Sequence, residues 1–283
     1  MLTATALLEL LAIIEFDELE ERLLTFDELL LETGVLDEIL ETATIDELLE
    51  TAVLLTDEAV LVGGVSGDFE PAKLLPRLKA LLAKLPRGKA PGRAVAFTAP
   101  GEVGDFVEKQ PREQAVVFQA FPGPGLLEAD YYVGEVADEL FSGMSSRLFE
   151  RVREEKGLAY FVRSSRLTGL QAGMFSFYAG TSPKTADAVL EEIDAEIARV
   201  QAGKIGADEL VRCKTRLKAA RRMGLQTNSS RAMNAGLNVL YGLPVEDTAA
   251  YDAHIDAAGI ADLKEFARRR FQRKLRTQLV VTP

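Results

Sequence analysis

The most informative stretch of this 283-residue sequence reads SSRLFERVREEKGLAY, from Ser145 to Tyr160. It begins with a hydroxyl residue suited to a helix N-cap, its apolar side chains recur at helical spacing, and Gly157 ends the helical pattern. A strand-like run, residues 159–167, follows at once. Arg153 is therefore expected at the end of a helix and Tyr160 at the start of the next strand. Across such a tight turn, a guanidinium and a phenol can converge on one oxygen atom.

Strands and amphipathic helices surround this stretch. A strand is expected at 115–121 and a helix at 128–141, and residues 173–180 alternate with a period of two. Apolar stripes of helical period then follow, and a last short strand ends the chain; they cover 189–200, 207–225, 230–241, 261–271 and 278–281. Adjacent strands, a long helical block and a late strand predict an α+β fold. Its sheet is expected to be mixed and mostly antiparallel, with helices packed on one face.

The N-terminal part differs in composition from the rest, and the sequence predicts four segments. They are an acidic helical leader (1–43), the remnant of a truncated first α/β domain (44–90), a linker rich in Gly and Pro (91–113), and a second α/β domain (114–283). In the leader, the pattern apolar-Asp-Glu-apolar recurs at intervals of nine or ten residues, which fits neither a heptad nor a known solenoid.

The remnant of the first domain has its own local signals. Thr44 and Glu47 form a capping box that predicts a helix to about residue 55. A strand is expected at 59–65 and a second helix at 72–85.

Charge and composition exclude several classes of protein. Residues 1–60 hold 17 acidic side chains and one basic one, a charge of −16, whereas the rest carries +5. The basic residues of 264–276 fit the outer face of one helix, so nucleic-acid binding is not expected. No apolar window is long enough for a membrane span. The single cysteine, Cys213, fits a packed helical residue in a reducing compartment, and the start lacks the basic region of a secretory signal, so a cytoplasmic location is expected.

Residues 145–160 resemble the second domain of the pitrilysin/insulinase family of zinc peptidases, the inverzincins, which includes the mitochondrial processing peptidases. Three further pieces resemble that family in the same order: GDF at 67–69 with its following helix, FPGP at 121–124 with DYY at 130–132, and FSGMSSRL at 141–148. The resemblance covers about residues 44–283. It implies two similar α/β domains facing each other around a substrate chamber, the first of which is represented here only by its last helix, strand and helix. It also implies that Arg153 and Tyr160 help to hold a substrate peptide.

The zinc motif of that family, H-x-x-E-H, is missing from this sequence, whose single histidine is His254. Catalytic zinc needs three protein ligands and an open position for water, and one histidine cannot supply the two imidazoles of the motif. The sequence therefore predicts no catalytic residue and no metal ligand in this chain, and zinc is expected in a partner subunit. His254 lies in a short polar helix or turn, where a surface or hydrogen-bonded role is expected.

These observations favour a non-catalytic, substrate-binding subunit of a pitrilysin/insulinase-type zinc endopeptidase. Its expected partners are a zinc-bearing homologous subunit, or further copies of itself, and an extended peptide, which could add to the strand at 161–167. Two alternatives stay open: a catalytically inert structural homologue, like the core subunits of respiratory complexes, and a fragment of a longer peptidase chain. A half-built first domain would expose apolar surface, so association with itself or with a partner is expected.

Overall fold

The computed structural model describes residues 52–54, 62–83, 98, 103–143, 146–245 and 247–283. Its strands are β1 (Ala52–Leu54), β2 (Val62–Gly64), β3 (Asp105–Lys109), β4 (Ala115–Gly123), β5 (Ala159–Thr168), β6 (Gly173–Thr181) and β7 (Thr277–Thr282). Its α-helices are α1 (Pro71–Leu82), α2 (Tyr131–Phe141), α3 (Ala186–Gln201), α4 (Ala207–Gly224), α5 (Asn228–Leu240), α6 (Asp247–Ala257) and α7 (Ile260–Arg270). A π-helix occupies Phe149–Glu155, and a 3-10 turn occupies Arg273–Leu275. The predicted acidic leader, the Thr44 capping box and Ser145 lie outside the described residues.

The described residues form two compact units. The larger unit contains residues 98, 103–143, 146–219 and 251–283, and the smaller unit contains the described residues of 52–83 together with 220–245 and 247–250. The smaller unit thus takes residues 220–250 from the stretch 114–283 that the sequence predicts as one domain. The reason lies in its packing, because α5 lies against β1 and β2. A Cβ atom at Gly64 would lie only 2.2 Å from the carbonyl oxygen of Ala232, so this approach requires glycine.

The larger unit is built on a five-stranded sheet in the order β3-β7-β4-β6-β5. Strands β3 and β7 run parallel, and the other three pairs are antiparallel. This confirms the α+β fold with a mixed, mostly antiparallel sheet. Strand β5 lies at one edge of the sheet, and β3 lies at the other.

One face of the sheet packs against helices α2, α3 and α7. The inward side chains of β4 and β6 meet the apolar stripe of α3, in which Val189, Ile193 and Val200 are fully buried. Phenylalanine rings from β4, β6, α2 and the end of α7 fill the centre, with centroids 4.8 to 6.5 Å apart; they are Phe121, Phe141, Phe175, Phe177 and Phe271. Edge-to-face aromatic packing of this kind fixes the helices on the sheet.

Three local predictions differ from the structure. Residues 105–109, in the predicted linker, form β3, because they pair along β7 in a long-range parallel ladder that the local sequence does not reveal. Residues 52–54 form β1 rather than the end of a helix, because they pair with β2. Pro122 lies inside β4, one residue beyond the strand predicted at 115–121. The missing N–H of Pro122 costs no pairing with β7, since that ladder ends at Ala120.

Among the described helices, none is both long and apolar enough to cross a membrane.

Candidate functional site

The segment before β5 is a π-helix with defined ends. The hydroxyl of Ser146 accepts a hydrogen bond from the N–H of Phe149 at 3.3 Å, which caps the segment at its start. At its end, Gly157 has a φ of +59°, and the next residue, Leu158, donates its N–H to the carbonyl of Val152 at 2.9 Å. This is the left-handed glycine termination that the sequence predicts. The wider winding between these two ends was not predicted; such segments are often found at functional sites.

Arg153 lies in the last turn of the π-helix, and its side chain is 47% exposed. Its guanidinium lies over the ring of Phe149, with the Cζ atom 4.9 Å from the ring centroid. The Nε atom is 3.7 Å from a carboxylate oxygen of Glu154. The aromatic face restrains the guanidinium by a cation–π contact while leaving its N–H groups open to solvent.

Tyr160 is the extra residue of a β-bulge. Ala159 pairs with Thr181 and Phe161 pairs with Gly180, so Tyr160 has no partner of its own on β6. The bulge places Tyr160 and Phe161 both on the exposed side of the strand, with Tyr160 61% exposed. Bulges redirect side chains in this way and are frequent next to active sites.

The bulge is supported by the ring of Phe161, which lies across the backbone of Gly180. A Cβ atom at Gly180 would come within 2.3 Å of that ring, so glycine is required for this arrangement. The ring also makes an edge contact with Tyr178, with centroids 5.9 Å apart. An aromatic surface therefore continues from Tyr160 onto the outer face of β6.

Beyond the bulge, β5 has one exposed and one covered row of side chains. The exposed row is Phe161, Arg163, Ser165 and Leu167, and the intervening Val162 and Ser164 are buried. The guanidinium of Arg163 lies over the ring of Tyr178 at 5.0 Å. Within the part of the chain that the structure describes, no carboxylate lies within ion-pair distance of Arg163.

A buried ionic cluster anchors the beginning of the π-helix. Arg147 is only 10% exposed, donates to Glu209 from Nε at 3.1 Å and from Nη2 at 2.7 Å, and lies 3.5 Å from Glu196. Glu196 is 2% exposed and also accepts from Arg199 at 2.8 Å. Burial raises the pKa of Glu196 more than its arginine neighbours lower it. Arg147, Glu196 and Arg199 line an ionic cavity of about 480 Å³ together with residues of the π-helix.

The residues that the structure describes do not fit a catalytic zinc ion. The imidazole of His254 is stacked on the ring of Tyr132, with centroids 4.3 Å apart, so its face is used in packing. Cys213 is buried, and the loss of solvent raises the pKa of its thiol to about 11, which disfavours the thiolate that would bind a metal. Across residues 52–283, as far as the structure describes them, no three His, Cys, Asp or Glu side chains form a cluster suited to a metal.

The structure places the two predicted site residues on adjoining elements, Arg153 in the π-helix and Tyr160 in the bulge, with both side chains exposed. Their convergence on one peptide oxygen stays a prediction. The sequence reading missed Arg163 as a candidate binding residue. The sequence did contain a signal for Arg163. The strand alternates with a period of two and contains no acidic residue, so an arginine on its exposed face has no acidic neighbour within the strand.

Comparison with known proteins supports this fold. A family model described as the Peptidase M16 inactive domain matches residues 59–217. An uncharacterized zinc protease of Rickettsia felis is 29% identical over 176 residues, which are 62% of this chain and 42% of that protein. An uncharacterized zinc protease of Bacillus subtilis is 30% identical over 154 residues, which are 54% of this chain and 38% of that protein. The matches thus span about two-fifths of the length of these relatives.

Solved structures give the same result for the fold. A protease from Helicobacter pylori has a TM-score of 0.69 at 21% identity, covering 77% of this chain and 54% of its own. A peptidase M16 inactive domain from Pseudomonas fluorescens has a TM-score of 0.67 at 20% identity, covering 77% and 52%. The family model matches more than half of the chain and confirms the predicted resemblance to the pitrilysin/insulinase peptidases, so the chain belongs to the Peptidase M16 inactive-domain family.

Proposed function

We propose that this chain is the non-catalytic, substrate-binding part of a zinc endopeptidase, in which Arg153 and Tyr160 hold the peptide. The observation that carries the proposal is the pairing of two exposed hydrogen-bond donors on adjoining irregular elements of an M16 inactive domain. The zinc ligands would come from a homologous subunit that carries H-x-x-E-H, or from the rest of a longer chain. The single histidine here cannot supply them.

The chemistry of the pair suits a peptide carbonyl. A guanidinium and a phenol are both donors, and donors aimed at a carbonyl oxygen stabilise the negative charge that develops there during peptide cleavage. Restraint before binding makes such donors more effective, because less side-chain entropy is lost. The contact of Arg153 with Phe149 and the bulge at Tyr160 both provide restraint of this kind.

A reconstitution experiment tests the proposal. The chain is mixed with a homologous H-x-x-E-H subunit from the same genome, and cleavage of a fluorogenic peptide is followed with and without a chelator. Chelator-sensitive cleavage is expected only when both chains are present. Arg153→Ala and Tyr160→Phe should each lower kcat/KM about 100-fold, the size expected when one donor to a developing oxyanion is lost.

Lys274→Ala serves as the matched control, since Lys274 is an exposed cation in the 3-10 turn before β7, and β4 and β6 separate β7 from β5 in the sheet. Equal activity of the zinc-bearing subunit with and without this chain would rule out the proposal. It would instead favour a structural role without turnover.

A further inference from the structure

We infer that the open edge of β5 binds an extended peptide by strand addition, with an acidic side chain of the peptide facing Arg163 and apolar side chains on either side. The inference names the class of peptide that the proposed function would bind, and its biological meaning rests on that proposed function. The surface concerned, here called the β5 edge, comprises residues 161–168. Binding to this edge needs no zinc, so it can be measured on the chain alone.

The backbone of the β5 edge is oriented for pairing. The hydroxyl of Ser176 on β6 donates to the carbonyl oxygen of Ser165 at 3.3 Å, so Ser165 directs its polar backbone groups toward β6. Neighbouring residues of a strand direct these groups to opposite sides. The N–H and C=O groups of Val162, Ser164 and Arg166 therefore point away from the sheet. Among the residues that the structure describes, no strand pairs with that side.

The β5 edge also lacks the features that protect edges from pairing. Edge strands are commonly short, interrupted by proline or lined with alternating charges. The opposite edge of this sheet fits that description, because β3 has five residues and includes Asp105, Glu108 and Lys109. Strand β5 has ten residues and contains neither proline nor glycine after the bulge. A long, regular edge of this kind favours an extended partner.

The exposed row of side chains specifies the partner. Phe161 and Leu167 are apolar ends, and Arg163 and Ser165 lie between them. Arg166, on the covered face, is ion-paired with Glu135 at 3.6 Å, whereas the exposed Arg163 has no carboxylate within ion-pair distance among the described residues, so the charge of the exposed row is unbalanced. Side chains directly opposite each other on paired strands interact, and opposite charges stabilise the pair whereas like charges destabilise it. A carboxylate facing Arg163 is thus favoured, with apolar residues two and four positions away.

The same charges disfavour a second copy of this chain as the occupant. Antiparallel self-pairing of the β5 edge would place the Arg163 side chains of both copies on the same face of one narrow ribbon, and the exposed row of neither copy contains a carboxylate. A peptide with a carboxylate relieves this imbalance. The arrangement of charge therefore selects an acidic peptide over self-association.

The test uses rhodamine-labelled peptides and the full chain in fluorescence anisotropy. The probe is the acetylated peptide SVTTTETVS. Its antiparallel register places the second valine, the glutamate, the second threonine and the first valine opposite the four exposed residues in order. We expect SVTTTETVS to bind about tenfold more tightly than SVTTTKTVS, as follows from exchanging an attractive cross-strand pair for a repulsive one. N-methylation of the amides that face the edge should abolish binding.

Variants of the chain separate charge recognition from folding. Arg163→Glu should reverse the preference, so that SVTTTKTVS binds more tightly, and this gain itself reports a folded variant. Lys274→Glu makes the same change of net charge at an exposed position before β7, which β4 and β6 separate from β5, and should leave the preference intact. Equal binding of the two peptides overturns the acidic specificity, and unchanged binding of the N-methylated peptide overturns strand addition.

Two further results would also overturn the inference: no binding of SVTTTETVS, or a dimer in sedimentation equilibrium that the peptide fails to dissociate. The outcome is distinguishable from that of the proposed function. If the peptides do not bind but cleavage in the reconstituted enzyme still depends on Arg153 and Tyr160, the inference about the β5 edge fails alone. If the peptides bind as expected but the chain adds nothing to cleavage, the proposed function fails and the binding surface stands.

Discussion

Removal of Arg147 tests how the π-helix is anchored, and we expect Arg147→Ala to destabilise the larger unit by about 3 kcal/mol. The side chain is 10% exposed and donates to Glu209 and to the carbonyl of Lys204, at 2.7 to 3.2 Å, beside the buried Glu196. Breaking a buried ion pair on one side typically costs about 3–5 kcal/mol, because the remaining charge stays buried without its partner. The lower end applies here, since Glu196 keeps Arg199.

The opposite substitution should be far milder. In Glu196→Gln, Arg147 retains its three hydrogen bonds to Glu209, and the amide replaces a carboxylate whose pKa is raised by burial. We expect a cost within about 1 kcal/mol, the net value of an ordinary hydrogen bond. The asymmetry between the two variants follows from which of them leaves an unpaired charge.

The pH dependence gives an independent check. Because the pKa of Glu196 is higher in the folded state than its ordinary value, its contribution to stability is present below the ordinary value and is lost as pH rises through the folded one. Arg147→Ala removes a neighbour that lowers this pKa. The deficit of the variant should therefore shrink toward acid pH and grow as the pH rises toward neutrality.

Urea unfolding followed by far-UV circular dichroism measures these effects, as the chain has no tryptophan. Arg212→Ala, at an exposed position on α4, is the matched control and should change the midpoint little. A deficit below 1 kcal/mol for Arg147→Ala, or a larger deficit for Glu196→Gln, would refute the proposed anchoring.

Three further substitutions address other parts of the fold. Asp138→Asn should raise stability at pH 7 and flatten the dependence of stability on pH above pH 4, as measured by urea titrations. Burial raises the pKa of the Asp138 carboxyl, and the amide of the variant can still accept the hydrogen bond that the hydroxyl of Ser164 donates at 2.5 Å. Gly180→Val should displace the ring of Phe161, at a cost of about 1–3 kcal/mol by overpacking, and weaken binding of SVTTTETVS in anisotropy; unchanged binding would contradict the role given to the bulge. Phe149→Leu should lower the free energy of unfolding in urea by about 0.5–1 kcal/mol, because the cation–π contact with Arg153 is lost. A urea midpoint equal to that of the wild type would speak against that contact.

The sequence predicted those features of the fold that depend on local chemistry. A serine cap, a terminal glycine and period-two alternation located the helix before β5 and the strand itself within a few residues. Ser146 caps the segment, and the predicted cap, Ser145, lies outside the described residues. What escaped prediction depends on distant residues: β3 forms because it finds β7, some 170 positions later, and β1 forms because it finds β2.

The candidate site residues were proposed from the sequence, and their role stays a prediction; their local backbone geometry could not be predicted. Arg153 and Tyr160 could be named from a motif, yet neither the π-winding nor the bulge leaves a local signal, since each differs from the regular element by a single residue. The anchoring of Arg147 was equally hidden, because its partners Glu196 and Glu209 lie 49 and 62 positions away. Pairing over such distances is a property of the folded core.

The bulge at Tyr160 links the two functional proposals physically. In a strand, the insertion of one residue moves every later side chain to the opposite face. Ala159 is buried and, in a regular strand, Phe161, Arg163 and Leu167 would be buried with it, whereas Val162 and Ser164 would be exposed. The extra residue reverses this assignment. The same irregularity that presents Tyr160 to solvent thus exposes Arg163 on the β5 edge, so the geometry of one cannot be lost without the other.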